Sequence, residues 1–237
     1  AVEVLRQFKG FSYFTEMSDI INRLEDHVAS ARMKTTPVID FEKNESLKGL
    51  DYLDTIYHAI VNEHPIQLKY RSFKARSANS FIFYPYLLKE YRNRWFVYGV
   101  RGNGRILQNL ALDRIQSLEV LPQEHYIKNT FFDPNTFFDD LVGVTKNSGS
   151  VAEKIGFKVA AAEAPYIITK PIHRSQQVVE RLADGSVILE IEVVINHELE
   201  RVFFGYAEGI QVLYPKTLVE LMGRKLKKAA EQYTHSK

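Results

Sequence analysis

The chain has 237 residues, of which 45% are hydrophobic and 25% are charged, and its formal net charge at pH 7 is only +2. This composition is that of a folded protein with room for two domains, and it excludes disordered and fibrous proteins. The absence of cysteine excludes disulfides, thiolate nucleophiles, iron–sulfur clusters and cysteine-based zinc sites, and it fits a reducing compartment such as the cytoplasm.

Helices are predicted in the first quarter of the chain. Apolar residues recur at helical spacing between Glu16 and Met33, after a first helical pattern at Val2–Phe14. A further helix is marked by apolar residues from Leu53 to Val61 and ends near His64, because Pro65 disfavours helical backbone in the residue before it. We interpret residues 1–48 as a helical linker region.

The hydrophobic period changes from 3.6 to 2 at Ile66, which indicates β-structure. Five strands are predicted, at residues 66–71, Ser80–Glu90, Arg94–Arg101, Arg105–Leu112 and Ser117–Leu121. Gly102-Asn103-Gly104 is a strong hairpin signal between two of them. Five short antiparallel strands in so few residues predict a compact SH3- or Sm-like β-barrel domain spanning residues 49–127.

This β-rich segment carries most of the positive charge. Between Ile66 and Ile115 there are ten Lys or Arg residues and two acids, so the segment is +8, and the remaining residues sum to −6 to give the total of +2. Ten aromatic residues lie in the same segment, including Trp95, the only tryptophan. Basic groups interleaved with aromatic rings suit phosphate binding and base stacking. The alternative is a small barrel whose aromatics are core and whose arginines are solvated.

The C-terminal part of the chain has the pattern of a second domain. Residues 128–150 are rich in Asp, Asn, Gly and Ser and are interpreted as a connection. Residues 151–237 predict the order βαββαβ with a closing helix, which is ferredoxin-like. Asn196 is the expected N-cap of the second of these helices, and Pro215 is expected in the first turn of the last helix.

No enzymatic motif is present. The sequence has no phosphate-binding Gly-rich loop, no GxSxG elbow and no HExxH, and its closest histidines, His58 and His64, are not four residues apart. We therefore expect no catalytic role, no metal site and no cofactor. No apolar run approaches the roughly 20 residues that a membrane-spanning helix needs, so a protein that does not enter the membrane is expected.

Two stretches resemble a known family. The run Tyr84–Gly99 (YPYLLKEYRNRWFVYG), followed by Leu110–Ile115 (LALDRI), resembles the WYL domain of bacterial transcriptional regulators. The naming tripeptide is Trp95-Phe96-Val97 in this chain, so two of its three positions differ. The C-terminal part resembles the extension that follows such domains, through Pro171–Gln176 (PIHRSQ), the Asp-Gly turn and Leu213-Tyr214-Pro215.

The resemblance implies a sensor. Relatives carry a winged helix-turn-helix before the WYL domain, and no such motif is recognisable here, so we interpret the chain as the ligand-sensing and dimerisation part of a regulator. The DNA-reading domain would then be removed or encoded elsewhere. The implied partners are a nucleotide or single-stranded nucleic-acid effector, operator DNA through the missing domain, and a second copy of the chain in a homodimer.

Six residues are candidates for the effector site. Arg114, in the Asp-Arg-Ile motif, is the leading candidate for holding a phosphate, and the alternative is a structural ion pair with Asp113. Tyr70 either stacks on a base of the ligand or fills the interior of the barrel. For Trp95, packing in the core of the barrel is expected ahead of a role as a platform for the ligand. The remaining candidates are Tyr84, which replaces a histidine of many relatives, and Lys89 and Arg94, which would bind or only steer the ligand.

Other functions remain open at this point. The same module would also serve as an autonomous binder of single-stranded nucleic acid, with the β-rich domain as its working end. A third interpretation is a regulatory subunit that modulates an enzyme by protein contact. An upstream reading frame would separate the first two, and charge reversal at Arg114 would leave partner binding intact in the third.

Overall fold

The computed structural model describes residues 48–102, 104 and 106–234. The helices predicted at Val2–Phe14 and Glu16–Met33 lie outside these residues. Contacts between Cα atoms divide the chain into two compact units, with the division between Phe131 and Phe132. Each unit is described by itself below.

The first unit contains one helix and five strands. Their bounds are α1 Leu53–Val61, β1 Ile66–Tyr70, β2 Asn79–Tyr91, β3 Arg94–Arg101, β4 Leu107–Ala111 and β5 Ile115–Val120. Short 3-10 turns lie at Leu50–Tyr52 and Leu112–Arg114. All five predicted strands are present, and the bounds of β3 are those expected from its alternating pattern.

The five strands form one open antiparallel sheet in the order β4-β3-β2-β1-β5. Strands β4 and β5 are its two edges, and no ladder joins them within the described residues, so the predicted closed barrel is not confirmed. The 3-10 turn at Leu112–Arg114 lies between these two consecutive strands. The chain then continues to the far side of the sheet, where β5 pairs with β1.

Helix α1 packs against the sheet to form the core of this unit. Leu53 and Ile56 of the helix and Leu68, Phe83 and Val97 of the strands belong to one buried cluster. Strand β1 alternates as predicted, with three buried positions separated by one half-buried and one exposed residue. The helix differs in one respect, because its predicted apolar position Val61 is 59% exposed and the small Ala59 is buried instead.

A β-bulge interrupts the pairing of β2 with β3. Pro85 pairs with Gly99 and Leu87 with Tyr98, so Tyr86 is the extra residue of β2. Gly99 allows the two backbones to approach closely, since a Cβ at this position would overlap the carbonyl oxygen of Tyr84 and lie 2.7 Å from the Phe83 ring. The bulge redirects the side chains of β2 at this point.

Replacing Gly99 with alanine is expected to destabilise the protein by about 2 kcal/mol, because the overlapping atom is a backbone oxygen that cannot rotate away. Urea denaturation followed by circular dichroism measures the change in the free energy of unfolding. The matched control is Gly223→Ala, where a Cβ meets nothing within 4 Å and the helix interior favours alanine. Equal stability of Gly99→Ala and the wild-type chain would contradict the close approach.

The second unit contains four strands and three helices. Their bounds are β6 Glu153–Val159, α2 Ala164–Thr169, β7 Gln177–Arg181, β8 Val187–Val193, α3 His197–Gly205, β9 Ile210–Tyr214 and α4 Lys216–Thr234. The element order is the predicted βαββαβ with a closing helix. The sheet is antiparallel with the order β7-β8-β6-β9, in which each βαβ connection skips one strand.

Asn196 begins α3 as predicted, and it does more than cap the helix. Its side-chain oxygen accepts a hydrogen bond from the Leu199 N–H at 2.9 Å. Its amide nitrogen donates to the carbonyl oxygens of Val142 and Thr145, both at 2.9 Å. Residues 128–150, predicted as a connection, therefore include backbone that is held against this helix.

Pro215 lies one residue before its predicted position. The last helix begins at Lys216, and the Pro215 carbonyl accepts the first helical hydrogen bonds, from Leu218 at 3.0 Å and Val219 at 3.1 Å. Pro215 is therefore the residue that precedes the first turn, where its missing N–H costs no helical hydrogen bond.

Candidate ligand-binding site

Three segments of the first unit meet at the end of β1. They are the last residue of β1, the loop that follows it, and the 3-10 turn at Leu112–Arg114. The Arg71 N–H donates to the carbonyl oxygen of Arg114 at 3.1 Å, which ties the loop to the turn. The pairing of β1 with β5 shifts register between Lys69 and Tyr70 at this point.

Asp113 is the centre of the charged groups in this region. Its Oδ2 lies 3.3 Å from Arg94 Nε, and its Oδ1 lies 3.8 Å from Arg114 Nε. The Asp113 side chain is 13% exposed, against 26% for Arg114 and 46% for Arg94. Because two guanidinium groups share one carboxylate, the carboxylate compensates only one of the two positive charges. Each guanidinium also carries more N–H donors than the shared carboxylate has positions to accept hydrogen bonds.

Tyr70 is the third group at this point, and it is 9% exposed. Burial raises the pKa of its hydroxyl, an effect opposed by the positive charge of Arg114 and by hydrogen bonds with the Ala111 backbone and the Arg114 side chain. Tyr70 belongs to the core cluster of the first unit. The ring of Tyr70 is therefore packed in the core, and its hydroxyl has a hydrogen bond with the Arg114 side chain.

An open pocket of about 310 Å³ lies beside Arg114. Its lining consists of Arg71, Ser72, Phe73, Asp113, Arg114, Ile115 and Gln116. The guanidinium carbon of Arg114 lies 4.5 Å from the centroid of the Phe73 ring, and Phe73 is 73% exposed. Sequence reasoning did not select Phe73, and the only signal for it was its place among the aromatics of the basic segment.

Of the six candidate residues, only Arg114 lines this pocket. Tyr70 lies beside Arg114 and Arg94 lies beside Asp113, and the other three candidates lie elsewhere. Trp95 is 9% exposed and belongs to the core cluster, which agrees with its expected packing role. Lys89 is half-buried on β2 and pairs with Phe96 of β3. Tyr84 is buried, and its ring lies edge-to-face with the ring of Tyr126 at 6.0 Å. The structure thus brings together Tyr70, Arg94 and Arg114 out of the six predicted residues.

Tyr84 belongs to a second group of aromatic rings, which surrounds the bulge in β2. The Tyr86 ring is stacked on Phe131 at 6.1 Å and lies edge-to-face with Tyr126, also at 6.1 Å. Burial raises the pKa of Tyr86 to about 12. The Tyr126 hydroxyl donates to the Pro85 carbonyl oxygen. These rings therefore pack against one another around the bulge.

The described residues contain no cluster of three or more His, Asp or Glu side chains with the placement of metal ligands. Within the same part of the chain, no helix combines the length and the apolar character that crossing a membrane requires.

Two family models match the chain. The WYL domain model matches residues 51–120, which include α1 and all five strands of the first sheet, and the WCX domain model matches residues 152–230 of the second unit. The chain is therefore a WYL-domain protein, as its resemblance predicted. A WCX domain follows the WYL domain, and it corresponds to the predicted C-terminal extension.

Two solved structures are similar to the chain at low identity. One is proteasome accessory factor B/C (PafBC) of Arthrobacter aurescens, with 15% identity, a TM-score of 0.32, and coverage of 81% of this chain and 28% of PafBC. The other is a CRISPR Cas-related protein, with 11% identity, a TM-score of 0.46, and coverage of 78% of this chain and 52% of that protein. The chain thus spans about a quarter and about half of these two proteins. Comparison with curated proteins found no match.

Proposed function

We propose that the WYL domain is the ligand-sensing part of a transcriptional regulator and that it binds a nucleotide or single-stranded nucleic-acid effector in the pocket beside Arg114. The observation that carries this proposal is the pair of guanidinium groups of Arg94 and Arg114 on the single carboxylate of Asp113. The proposed role is binding alone and includes no chemical step.

The charge arrangement suits a phosphate. The Arg114 guanidinium has a hydrogen bond with the Tyr70 side chain and lies over the Phe73 ring, so it loses little conformational entropy when it binds an anion. Its planar donors match two phosphate oxygens at once. Arg114 is only 26% exposed, so its field is screened less by water than that of a fully solvated arginine.

A nucleotide explains more of the pocket than a simple anion does. The lining combines charged Arg71 and Arg114 with the apolar surface of Phe73 and Ile115. Phosphate contacts and contacts with the face of a base are the two elements of single-strand recognition. The volume of about 310 Å³ is at the lower end of the range for small-molecule sites, which suits one nucleotide unit.

The wider role follows from the domain combination. In this proposal the chain acts in the cytoplasm as a homodimer, and effector binding changes how a DNA-reading domain contacts a two-fold operator. Arg94 and Arg114 would bind phosphate, Tyr70 would orient Arg114, and Lys89 would contribute charge that attracts the ligand. Tyr84 and Trp95 would support the sheet without touching the effector.

Titration of the purified chain with labelled short single-stranded DNA and RNA, and with competing mono- and cyclic nucleotides, tests this function. Fluorescence anisotropy at two salt concentrations is the measurement. We expect saturable binding that weakens at higher salt, because phosphate contacts release counterions. No binding of any nucleic acid or nucleotide would contradict the proposal and favour a protein-contact role as a regulatory subunit.

The dependence of affinity on strand length separates sensing from general strand binding. A sensor with one pocket should saturate with an oligonucleotide of a few residues and gain little from a longer strand. An autonomous single-strand binder should gain affinity with length, because more phosphates contact the protein. Affinity measured against strand length from 2 to about 20 nucleotides distinguishes the two.

A further inference from the structure

We propose that Phe73 is a base-stacking platform, and that the effector is a single strand from which one unpaired base stacks on the solvent side of its ring while phosphate binds Arg114. This inference rests on the proposed function and names the ligand class and the subsite. It predicts that Phe73, which carries no charge, contributes to affinity through the base alone.

The ring of Phe73 has two different faces. The Arg114 guanidinium lies over one of them, 4.5 Å from the centroid. With 73% of the residue exposed, the opposite face is open to solvent. A base stacked there would form a layer of guanidinium, phenyl ring and base, which uses the same aromatic surface for a cation–π contact and a stacking contact.

The platform is held in position before ligand arrives. The Ala75 N–H donates to the Ser72 carbonyl oxygen at 3.0 Å, which closes a turn with Phe73 at its second residue. Arg71 joins both sides of this turn: its backbone N–H donates to Arg114, and its Nε donates to the Ala75 carbonyl oxygen at 3.5 Å. A ring on a closed turn loses less entropy on stacking than one on an open loop.

Packing in the hydrophobic core does not explain why a phenylalanine occupies position 73. Phe73 is absent from the buried cluster of the first unit and from the partly buried residues packed on that cluster. At 73% exposure the ring gains little from the hydrophobic effect on folding. Phe81, in contrast, also carries an arginine over its ring, Arg101 at 4.0 Å, but it packs against the core cluster.

The charges around Phe73 favour a strand over a free base. Arg71, Lys74 and Arg76 are exposed on the same loop, and Arg114 lies behind the ring. Among the residues that the structure describes, Asp113 is the only acid that lines the pocket. Phosphates on either side of a stacked nucleotide therefore meet positive charge, whereas a base inside a duplex is already stacked and has no face to offer.

Two matched ligands and three variants test this inference. The ligands are a labelled single-stranded DNA of about ten nucleotides and an abasic strand of the same length and charge. The variants of the full chain are Phe73→Leu, Phe73→Trp and, as the control, Phe81→Leu, which alters the other Arg–Phe pair away from the pocket. Fluorescence anisotropy gives each dissociation constant, and thermal melting checks that each variant is folded.

We expect Phe73→Leu to weaken binding of the base-bearing strand about tenfold and to leave binding of the abasic strand within about twofold of wild type. Phe73→Trp should retain or improve affinity, and Phe81→Leu should bind like wild type. Because Phe73 is exposed, none of the Phe73 variants should melt at a lower temperature.

The outcomes separate this inference from the proposed function. If the wild-type chain binds neither strand and also none of the RNA strands and mono- and cyclic nucleotides, the proposed function fails and this inference fails with it. Binding of free nucleotides without binding of either strand would refute this inference alone. If wild type binds both strands in a salt-dependent way and Phe73→Leu binds the base-bearing strand as tightly, the function stands and the platform is refuted. Equal losses for the two strands, or a loss in Phe73→Trp equal to that in Phe73→Leu, would also refute it.

Discussion

Replacing Arg114 with alanine is expected to weaken binding of a short single-stranded oligonucleotide about 100-fold. The substitution removes a fixed guanidinium whose charge-assisted hydrogen bonds contribute roughly 1.5–3 kcal/mol each. It also leaves the largely buried Asp113 carboxylate with Arg94 as its remaining ion-pair partner among the described residues. The negative charge that then faces the pocket would repel a phosphate.

The measurement is fluorescence anisotropy at several salt concentrations. Loss of one phosphate contact should reduce the slope of log affinity against log salt by about one. Arg114→Lys should give an intermediate affinity, because lysine restores the charge without the planar pair of donors. The salt slope and the lysine variant together separate a direct phosphate contact from a general change in charge.

Arg101→Ala is the matched control for this prediction. Arg101 is an exposed arginine of the same sheet, it lies over the Phe81 ring, and it does not line the pocket. Its removal lowers the charge of the domain by the same amount, and we expect a change of about twofold. Equal losses in the two variants would contradict a specific role for Arg114 and would favour diffuse attraction by the basic segment.

Replacing Asn196 with alanine is expected to reduce the free energy of unfolding by about 3 kcal/mol. The cap to Leu199 accounts for about 1 kcal/mol of this. The carbonyl oxygens of Val142 and Thr145 lose their donor, and an unsatisfied buried carbonyl costs about 1–3 kcal/mol. Asn196 is only 5% exposed, so water replaces these bonds poorly.

Urea denaturation followed by circular dichroism measures this loss, and Asn196→Asp separates its two causes. Aspartate keeps the cap to the Leu199 N–H but cannot donate to the two carbonyl oxygens, and its charge would lie beside them in a buried position. We therefore expect Asn196→Asp to be destabilised as well. Full stability of the aspartate variant would show that the helix cap is the only contribution of this side chain.

Features that depend on neighbouring residues could be predicted from the sequence. Strand β3 has its predicted bounds because alternation along a strand is local, and Asn196 begins α3 because capping involves residues only three positions apart. Arg114 was selected from a short motif. Its long ion-pair distance to Asp113, at 3.8 Å, and its contact with the Phe73 ring were not predictable.

Features that depend on distant residues were predicted less well. The closed barrel was expected from strand number and length, but closure depends on whether the two edge strands pair, and β4 and β5 do not pair within the described residues. Tyr84 and Lys89 were grouped with Arg114 because the resemblance to the WYL family implied a basic pocket on the strands around Trp95-Phe96-Val97. Tyr84 instead faces Tyr126, and neither residue lines the pocket.

The sequence by itself determined the family, the order of the elements in the described part of the chain and the concentration of positive charge in the WYL domain, and it selected Arg114 as the leading candidate. The tertiary structure decided which aromatic lies beside Arg114. Phe73 and Arg114 are 41 positions apart, and they meet because β5 pairs with β1 and brings the 3-10 turn to the loop after Tyr70. Alternation along a strand encodes which face a residue occupies, but the choice of neighbouring strand depends on the free energy of the whole sheet.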